Sequence, residues 1–374
     1  MTDCGFLAPR YGERSLGDLL PAVGAAVGLS GFEDRLGLPT ASRYVVLVVD
    51  GLGELNLRRH AADAPYLASL LDVREPLTCG VPSTTATSLT SLGTGLPPGR
   101  HGLVGYTSRI PGTDRLLNAL KWDDSVDPEV WQPYPGVLSV LAGAGAAVAV
   151  VNQAEFELSG LTRCSQRGVA YHGTASSWER LDSVCELADE PGSITYAYES
   201  ELDHTGHGKG CESVEWLQVL HAIDAEAQRL RAELPGDCAL LVTADHGMVD
   251  VAAEDRVDVD DVPGLLDDVV LMGGEARFRH LYTRAGTVED VVARWMAELG
   301  ERALVCTRQE GIDAGWFGDV DEQVLPRLGD VLVASTAACA VLSRRRFHVE
   351  TKLIGFHGSL TPVEMLVPLL VDVG

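Results

Sequence analysis

Four largely apolar runs constrain the fold of this chain more than any other feature. They are YVVLVVD at residues 44–50, AAVAVVN at 146–152, SITYAY at 193–198 and ALLVTA at 239–244. Runs of this kind are typical of parallel strands that are buried on both faces. Amphipathic stretches separate them, the clearest being residues 211–234, which contain no glycine or proline. Alternating strands and helices predict an α/β fold with a mostly parallel sheet flanked by helices.

The character of the sequence changes after residue 253. Residues 251–267 are acidic and loop-like, residues 268–284 are typical of paired strands, and residues 287–299 are typical of a helix. A further apolar run, GDVLVAST at 329–336, predicts the return of the core. We therefore expect a core formed by residues 1–253 and 329–374, and a small α+β cap insertion at residues 254–328.

The composition argues against several kinds of partner. The chain of 374 residues has a formal net charge of −25, which disfavours a nucleic-acid polymer or an anionic membrane. No apolar run reaches the length of about 18 residues that a membrane span needs. We expect a cytoplasmic protein, because the N-terminus lacks the segments of a secretory signal and the eight cysteines are scattered without metal-site spacing.

Metal-binding types of side chain follow several of the predicted strands. They are Asp50, Asp203, His207, Asp245, His246 and His357. In open α/β sheets, ligands bind outside the carboxyl ends of the strands. Carboxylates and imidazoles gathered at such an edge form two-metal hydrolytic centres. The set therefore predicts such a centre.

Taken singly, these residues have structural alternatives. Asp50 and Asp203 also fit helix caps, which aspartate often supplies. A lone histidine such as His357 is often structural, and His204 stands next to Asp203 as a rival ligand. Lys209, in the same segment, is a candidate for holding a substrate phosphate.

A threonine-rich segment supplies a candidate nucleophile. Thr85 lies in PSTTATSLTSLGTG, where residues 86–93 are expected to be helical. A hydroxyl at a helix N-terminus faces the positive end of the helix dipole, and a bound divalent cation would make its alkoxide accessible near neutral pH. Thr84 is a competing nucleophile, and an ordinary N-cap is the structural alternative.

The order of the whole set resembles one group of enzymes. An aspartate, a threonine, an Asp-x3-His pair, an Asp-His pair and a late histidine follow one another. The segment TGLPPGRHGLVGY at residues 94–106 is similar to the signature TGLYPESHG of that group. The chain thus resembles the alkaline phosphatase superfamily, and within it the nucleotide pyrophosphatase/phosphodiesterase branch. The nucleophilic threonine of that branch lies nine positions before the threonine of the signature, here Thr94, so the resemblance marks Thr85.

The resemblance implies two bound divalent metals. The first would be surrounded by Asp50, Thr85, Asp245 and His246, and the second would be held by Asp203, His207 and His357. Thr85 would attack phosphorus in line with the leaving group, and water would then hydrolyse the phospho-threonine intermediate. Zinc suits these ligands, and manganese and iron are alternatives.

The chain also departs from the pattern of that branch. The branch carries an asparagine that binds a phosphoryl oxygen three residues after the nucleophile, and here the position is Ser88. Tyr106 and Trp122 are candidates for lining the substrate pocket, although large aromatic residues are often core residues. Arg277 and His280 are candidates for reaching the site from the cap insertion, with a charged hairpin face as the alternative.

We expect a metal-dependent hydrolase of phosphate esters, foremost a phosphodiesterase or nucleotide pyrophosphatase. Its partner would be a small phosphorylated substrate, with a nucleotide-like compound as one candidate. The alternatives are a phosphomonoesterase, a phosphonate hydrolase, a phosphoglycerate-mutase-like isomerase and a binding protein without catalysis. The sequence leaves the oligomeric state open.

Overall fold

The computed structural model describes residues 5–374 and contains one large six-stranded sheet. In spatial order its strands are Leu370–Asp372, Cys238–Thr243, Arg43–Val49, Ser193–Glu199, Ala147–Gln153 and Ala170–Thr174. All neighbouring strands pair in parallel except Leu370–Asp372, which is antiparallel to Cys238–Thr243. The predicted α/β fold with a mostly parallel sheet flanked by helices is therefore confirmed.

The centre of this sheet is buried because its strands are apolar on both faces. All residues of Ser193–Glu199 and Cys238–Thr243 are buried, as are Tyr44 to Val49 of the strand between them. The four predicted strands agree with the observed bounds to within one residue at each end. Continuous apolar runs thus located the central strands correctly.

α-Helices connect the strands, and most of these helices belong to the part of the chain that forms the large sheet. They are Leu19–Ala26, Glu54–Arg59, Pro65–Ser69, Thr85–Thr94, Pro98–His101, Pro128–Trp131, Val137–Gly143, Gly160–Ser165, Ser177–Ala188, Glu201–Lys209, Val214–Glu233, Val288–Leu299, Arg308–Asp313 and Pro362–Met365. The longest, Val214–Glu233, starts three residues later than predicted because the Ser213 hydroxyl accepts a hydrogen bond from Trp216 N at 3.1 Å and forms its N-cap.

A small antiparallel sheet follows in the second half of the chain. In spatial order its strands are Val269–Glu275, Phe278–Thr283, Val331–Ser335 and Ala303–Thr307. Helix Val288–Leu299 packs on it through Val291 and Trp295, within a separate hydrophobic cluster. Strand Val331–Ser335, which we expected in the resumed core, instead pairs with strands of the predicted insertion. The division of the chain at residues 253 and 328 stays a prediction.

Four two-stranded pairs complete the strands of the described residues. They are Leu77–Thr78 with Leu366–Val367, Thr107–Arg109 with Leu116–Asn118, Val249–Asp250 with Gly355–Phe356, and Arg256–Asp258 with Ala340–Leu342. None of the helices in residues 5–374 has the length and apolarity needed to cross a bilayer. The seven cysteines in this range are free thiols, and the cytoplasmic location stays a prediction.

Candidate metal centre

Two neighbouring strands of the large sheet deliver the first group of predicted ligands. Asp50 directly follows strand Arg43–Val49, and Asp245 and His246 follow the adjacent strand Cys238–Thr243. His246 Nε2 lies 3.4 Å from Asp50 Oδ1 and 3.5 Å from Asp245 Oδ2. All three side chains are buried, and their ligand atoms lie within 4.8 Å of one another. We call Asp50, Asp245 and His246 cluster A.

A short helix and a late loop supply the second group. Asp203 and His207 lie one turn apart on helix Glu201–Lys209, with His207 Nε2 3.4 Å from Asp203 Oδ2. His357 follows strand Gly355–Phe356 and places its Nε2 3.9 Å from Asp203 Oδ1. Asp203, His207 and His357 form cluster B, whose ligand atoms also lie within 4.8 Å of one another.

Backbone carbonyls orient all three imidazoles. The Nδ1 atoms of His207, His246 and His357 lie 2.8, 3.2 and 2.9 Å from carbonyl oxygens of Gly355, Gly247 and Ser83, respectively. A carbonyl oxygen only accepts, so each Nδ1 carries the proton and donates. In the neutral imidazole this leaves Nε2 as the nitrogen whose lone pair faces the clusters, as a metal ligand requires.

The buried carboxylates of the two clusters lack enough hydrogen-bond donors. Among the described residues, Asp50 Oδ1, Asp203 Oδ1 and Asp245 Oδ2 are buried and have no hydrogen-bond partner. Burial, together with the neighbouring carboxylates Asp245 and Asp203, raises the pKa of Asp50 well above its ordinary value. Buried carboxylates with free oxygens and unprotonated imidazoles fit divalent cations such as zinc, manganese or iron.

Close packing around Gly51 holds the two clusters together. Gly51 has φ +77°, and a Cβ atom there would lie 3.1 Å from Asp203 Cβ. Its N–H donates to Asp245 Oδ1 at 3.1 Å, and His246 N donates to the same oxygen at 2.9 Å. Glycine is needed here because it alone adopts this backbone conformation freely and leaves room for Asp203.

Tyr198 is a supporting residue that sequence reasoning missed. Its hydroxyl donates to Asp50 Oδ2. Tyr198 is the sixth residue of strand Ser193–Glu199, so it resembles its apolar neighbours in the sequence. Its position near the strand's carboxyl end was the only available signal.

Thr85 is the first residue of helix Thr85–Thr94, beside cluster A. Its Oγ1 lies 3.2 Å from His246 Nε2. The hydroxyl of the competing residue Thr84 instead lies beside the carboxyl group of Glu275, whose pKa it lowers. The helix N-terminus and cluster A therefore both face the Thr85 hydroxyl, an arrangement suited to activating a nucleophile.

A comparison with protein families agrees with this geometry. The profile of the family described as type I phosphodiesterase/nucleotide pyrophosphatase matches residues 44–360, which include every member of both clusters. The chain belongs to this family. Membership places it in the alkaline phosphatase superfamily and makes it a phosphoesterase-type hydrolase.

Solved structures share the fold. Murine ectonucleotide pyrophosphatase/phosphodiesterase 5 matches with a TM-score of 0.69 and 17% identity, over 88% of this chain and 87% of that chain. An inactive variant of that protein in complex with AMP matches with a TM-score of 0.69 and 16% identity, over the same shares of 88% and 87%. Phosphonoacetate hydrolase from Sinorhizobium meliloti 1021, in complex with phosphonoformate, matches with a TM-score of 0.66 and 21% identity, over 89% of this chain and 90% of that chain.

Two cavities open on either side of Thr85 in this phosphodiesterase-family chain. The first has a volume of about 640 Å³ and is lined by Thr85, Tyr106, Glu275 and all of cluster B. The second has a volume of about 420 Å³, and Asp50, Thr85 and Tyr198 contribute to its walls. Thr85, Leu120, Asp203 and His204 line both cavities. The nucleophile candidate therefore stands where the cavities meet.

Glu275 was also missed by sequence reasoning. It is the last residue of strand Val269–Glu275, is 6% exposed, and lines the first cavity. Burial raises the pKa of its carboxyl group to about 8. A carboxylate in GGEARF gives no local signal of burial, because the fold of the small sheet alone brings it to the site.

The candidate substrate-binding residues occupy different environments. Tyr106 lines the first cavity, and its role in binding substrate stays a prediction. Ser88 is fully buried beside Cys79, and its hydroxyl has no hydrogen-bond partner among the described residues. Trp122 packs edge-on against Trp131, with ring centroids 6.3 Å apart, and its indole N–H donates to Val126 O at 2.7 Å. Its position corrects our expectation that Trp122 lines the substrate pocket.

Arg277 and His280 do not reach the site as suggested, because both are fully buried in structural contacts. Arg277 forms two hydrogen bonds of 2.7 and 2.8 Å to Glu364, which fasten the small sheet to the core. His280 Nε2 donates to Val104 O at 2.8 Å, and burial lowers its pKa to about 4. Lys209 Nζ lies 4.0 Å from Glu215 Oε1, and Lys209 lines a groove separate from the two cavities at Thr85.

Proposed function

We propose that this hydrolase is a metal-dependent phosphodiesterase or nucleotide pyrophosphatase that acts through a phospho-threonine intermediate. The observation that carries the proposal is the position of Thr85 between two cavities of about 640 and 420 Å³. A phosphodiester has two substituents on phosphorus, whereas a monoester has one. Room on both sides of the nucleophile therefore favours a diester or a substituted diphosphate.

Cluster A and cluster B would hold the two divalent metals, with Thr85 as an additional ligand of the metal at cluster A. The convergent Nε2 atoms and the free oxygens of Asp50, Asp203 and Asp245 support this assignment. When bound, such metals supply positive charge that stabilises the attacking and leaving oxygens of an in-line displacement. Zinc is the first candidate, and manganese and iron are the alternatives.

Thr85 would perform the nucleophilic attack. Its Oγ1 forms a bond to phosphorus while the bond to the leaving-group oxygen breaks, and the positive end of helix Thr85–Thr94 favours the anionic oxygen. Water then hydrolyses the phospho-threonine and restores the hydroxyl. The 3.2 Å distance between Thr85 Oγ1 and His246 Nε2 supports Thr85 over Thr84 in this role.

A comparison of substrates tests the proposal. Rates are measured on bis-p-nitrophenyl phosphate, p-nitrophenyl phosphate and p-nitrophenyl phenylphosphonate, each with zinc, with manganese and with chelator. We expect the diester and the phosphonate ester to be hydrolysed fastest, and chelator to abolish this activity. Preference for the monoester would replace the proposal with a phosphomonoesterase. No turnover of any substrate by the metal-loaded protein would also contradict it and would redirect the search to a phosphomutase.

The natural substrate would be a small phosphorylated compound, and a nucleotide-like molecule is our first candidate. The related murine protein was solved with AMP, a ligand that has one phosphate and a nucleoside. The first cavity has the volume for such a group. Nucleoside diphosphate esters are therefore the natural compounds to assay after the synthetic diesters.

A further inference from the structure

We propose that Glu275 determines substrate specificity by accepting a hydrogen bond from a hydroxyl or ammonium group of the substrate. That group would belong to the phosphorus substituent that occupies the first cavity, which we call the substrate arm. This inference rests on the proposed function, because it assumes that a phosphodiester binds beside Thr85. It adds a chemical requirement that the function itself does not contain: the arm carries an N–H or O–H donor close to phosphorus.

The protein holds Glu275 firmly at the inner wall of the cavity. One carboxyl oxygen, Oε1, accepts a hydrogen bond of 3.5 Å from Tyr106 N, and the Thr84 hydroxyl lies beside the carboxyl group. A Cβ atom at position 358 would lie only 2.7 Å from Glu275 Cγ, so the glycine at this position leaves room for the Glu275 side chain. The carboxyl group is therefore fixed next to the residue that precedes the nucleophile.

The second carboxyl oxygen, Oε2, is buried and has no hydrogen-bond partner among the described residues. The ring nitrogen Nδ1 of His357 lies 3.9 Å from Oε2 and already donates to Ser83 O at 2.9 Å. Arg279 cannot serve it, because its guanidinium pairs with Glu350 and with Val341 O. Without metal, burial raises the pKa of Glu275 to about 8, and cations bound at the neighbouring clusters would favour its ionised form. An ionised carboxylate oxygen that lacks a donor is costly in a buried site, so a donor on the substrate would recover part of that free energy.

The surrounding side chains suit an ammonium group as well as a hydroxyl. Tyr106, Phe347 and Phe356 all line the same cavity, and a cation is attracted to an aromatic ring face. The guanidinium groups of Arg279 and Arg256 already lie over the rings of Phe347 and Phe356, 4.6 and 5.3 Å from the centroids, so Tyr106 is the ring of the three left for a substrate cation. The cationic residues Lys121 and Arg346 also line the cavity, but both are solvent-exposed, and Arg346 pairs with Asp260 at 3.4 Å. These two charges thus lie toward solvent, and the buried charge of Arg279 is paired with Glu350, whereas Glu275 is buried without an arginine or lysine partner among the described residues.

Three matched diesters test the inference. They are p-nitrophenyl phosphates esterified with a 2-aminoethyl, a 2-hydroxyethyl or an n-propyl arm, which have nearly the same length. We expect the wild-type protein to hydrolyse the two donor-bearing diesters with kcat/KM roughly tenfold above that of the propyl diester, since an unpaired buried acceptor rejects an apolar isostere. Glu275→Ala should remove both preferences. Glu275→Gln should remove the preference for the amine but keep part of that for the hydroxyl.

The controls separate this inference from the proposed function. Glu254→Gln changes an exposed glutamate and should leave both preferences intact. Metal content is measured for every variant. Equal kcat/KM for all three arms in the wild-type protein would overturn the inference while leaving the phosphodiesterase proposal in place. Absence of turnover on all three diesters would overturn the function. Loss of metal in Glu275→Gln, together with an equal fall in kcat/KM on all three diesters, would also overturn the inference and would assign the residue to the metal centre.

Discussion

The imidazole rings of His246 and His357 stack with their centroids 3.7 Å apart and an angle of 16° between their planes, although the residues belong to different clusters. Two charged rings at this distance would repel each other. Burial, followed by the neighbouring His246 and His207, holds the pKa of His357 well below its ordinary value, which is consistent with a neutral ring. The stack therefore joins cluster A and cluster B into one centre, where two cations would act on one phosphoryl group.

Thr85→Ala should lower kcat on a diester by about 10³-fold or more, because the nucleophilic oxygen is removed. The metal content should remain near two per chain, since both clusters keep their carboxylates and imidazoles. Steady-state kinetics and elemental analysis of the same sample measure the two quantities. Thr84→Ala is the matched control and should lose less than about tenfold. Full activity in the Thr85 variant would move the nucleophile to Thr84 or to water.

His357→Ala should empty cluster B preferentially and leave about one metal per chain. The reason is that His357 belongs to cluster B, and cluster A retains all its members. Elemental analysis after dialysis measures the loss. His204→Ala removes an imidazole next to Asp203 but outside both clusters, and it should keep the full metal content. Unchanged metal content in His357→Ala would disprove the ligand assignment.

Tyr198→Phe should weaken metal binding by about 10- to 100-fold, because the hydroxyl that orients Asp50 is lost. Competition with a chromogenic chelator measures the affinity directly. Tyr196→Phe, in the same strand, is a close control, because the buried hydroxyl of Tyr196 has no hydrogen-bond partner in the described part of the chain. Equal affinities in the two variants would show that Tyr198 has no role in supporting the metal.

The contribution of Glu275 to the stability of the metal-free protein should fall as the pH rises from about 5 to 8. Burial raises the pKa of Glu275 from 4.5 to about 8, so the folded state keeps a proton that the unfolded chain releases above its lower pKa. The folded state therefore binds more protons in this window, and the free energy of unfolding falls with pH, by an amount on the order of a few kcal/mol for this group.

Denaturant titrations at several pH values test this dependence. Glu275→Gln removes the titrating group, so the free energy of unfolding of the wild-type protein, relative to that of the variant, should fall between pH 5 and 8. Both proteins are measured without metal, because bound cations would stabilise nearby carboxylates. Parallel curves for the two proteins would refute the assignment of this pH dependence to Glu275.

Much of the site could be predicted because its residues lie at places that local sequence marks. Asp50 and Asp245 follow apolar runs, and such runs favour strands that are buried on both faces. Since parallel strands end at the same edge of a sheet, residues far apart in sequence meet there. His357 lacked such a signal on its own, and its place followed from resemblance to the superfamily rather than from its neighbours in sequence.

The sequence by itself determined the central strands, the helix that begins at Thr85, and the residue types gathered in the two clusters. Only the tertiary structure decided the partners of the charged and aromatic side chains. Arg277 pairs with Glu364, 87 residues away, and Trp122 packs on Trp131 instead of lining a cavity. Glu275 reaches the first cavity because the small sheet folds against the core. Strand and helix formation depends on patterns among neighbouring residues, whereas the environment of a polar or aromatic group depends on which distant segment packs against it.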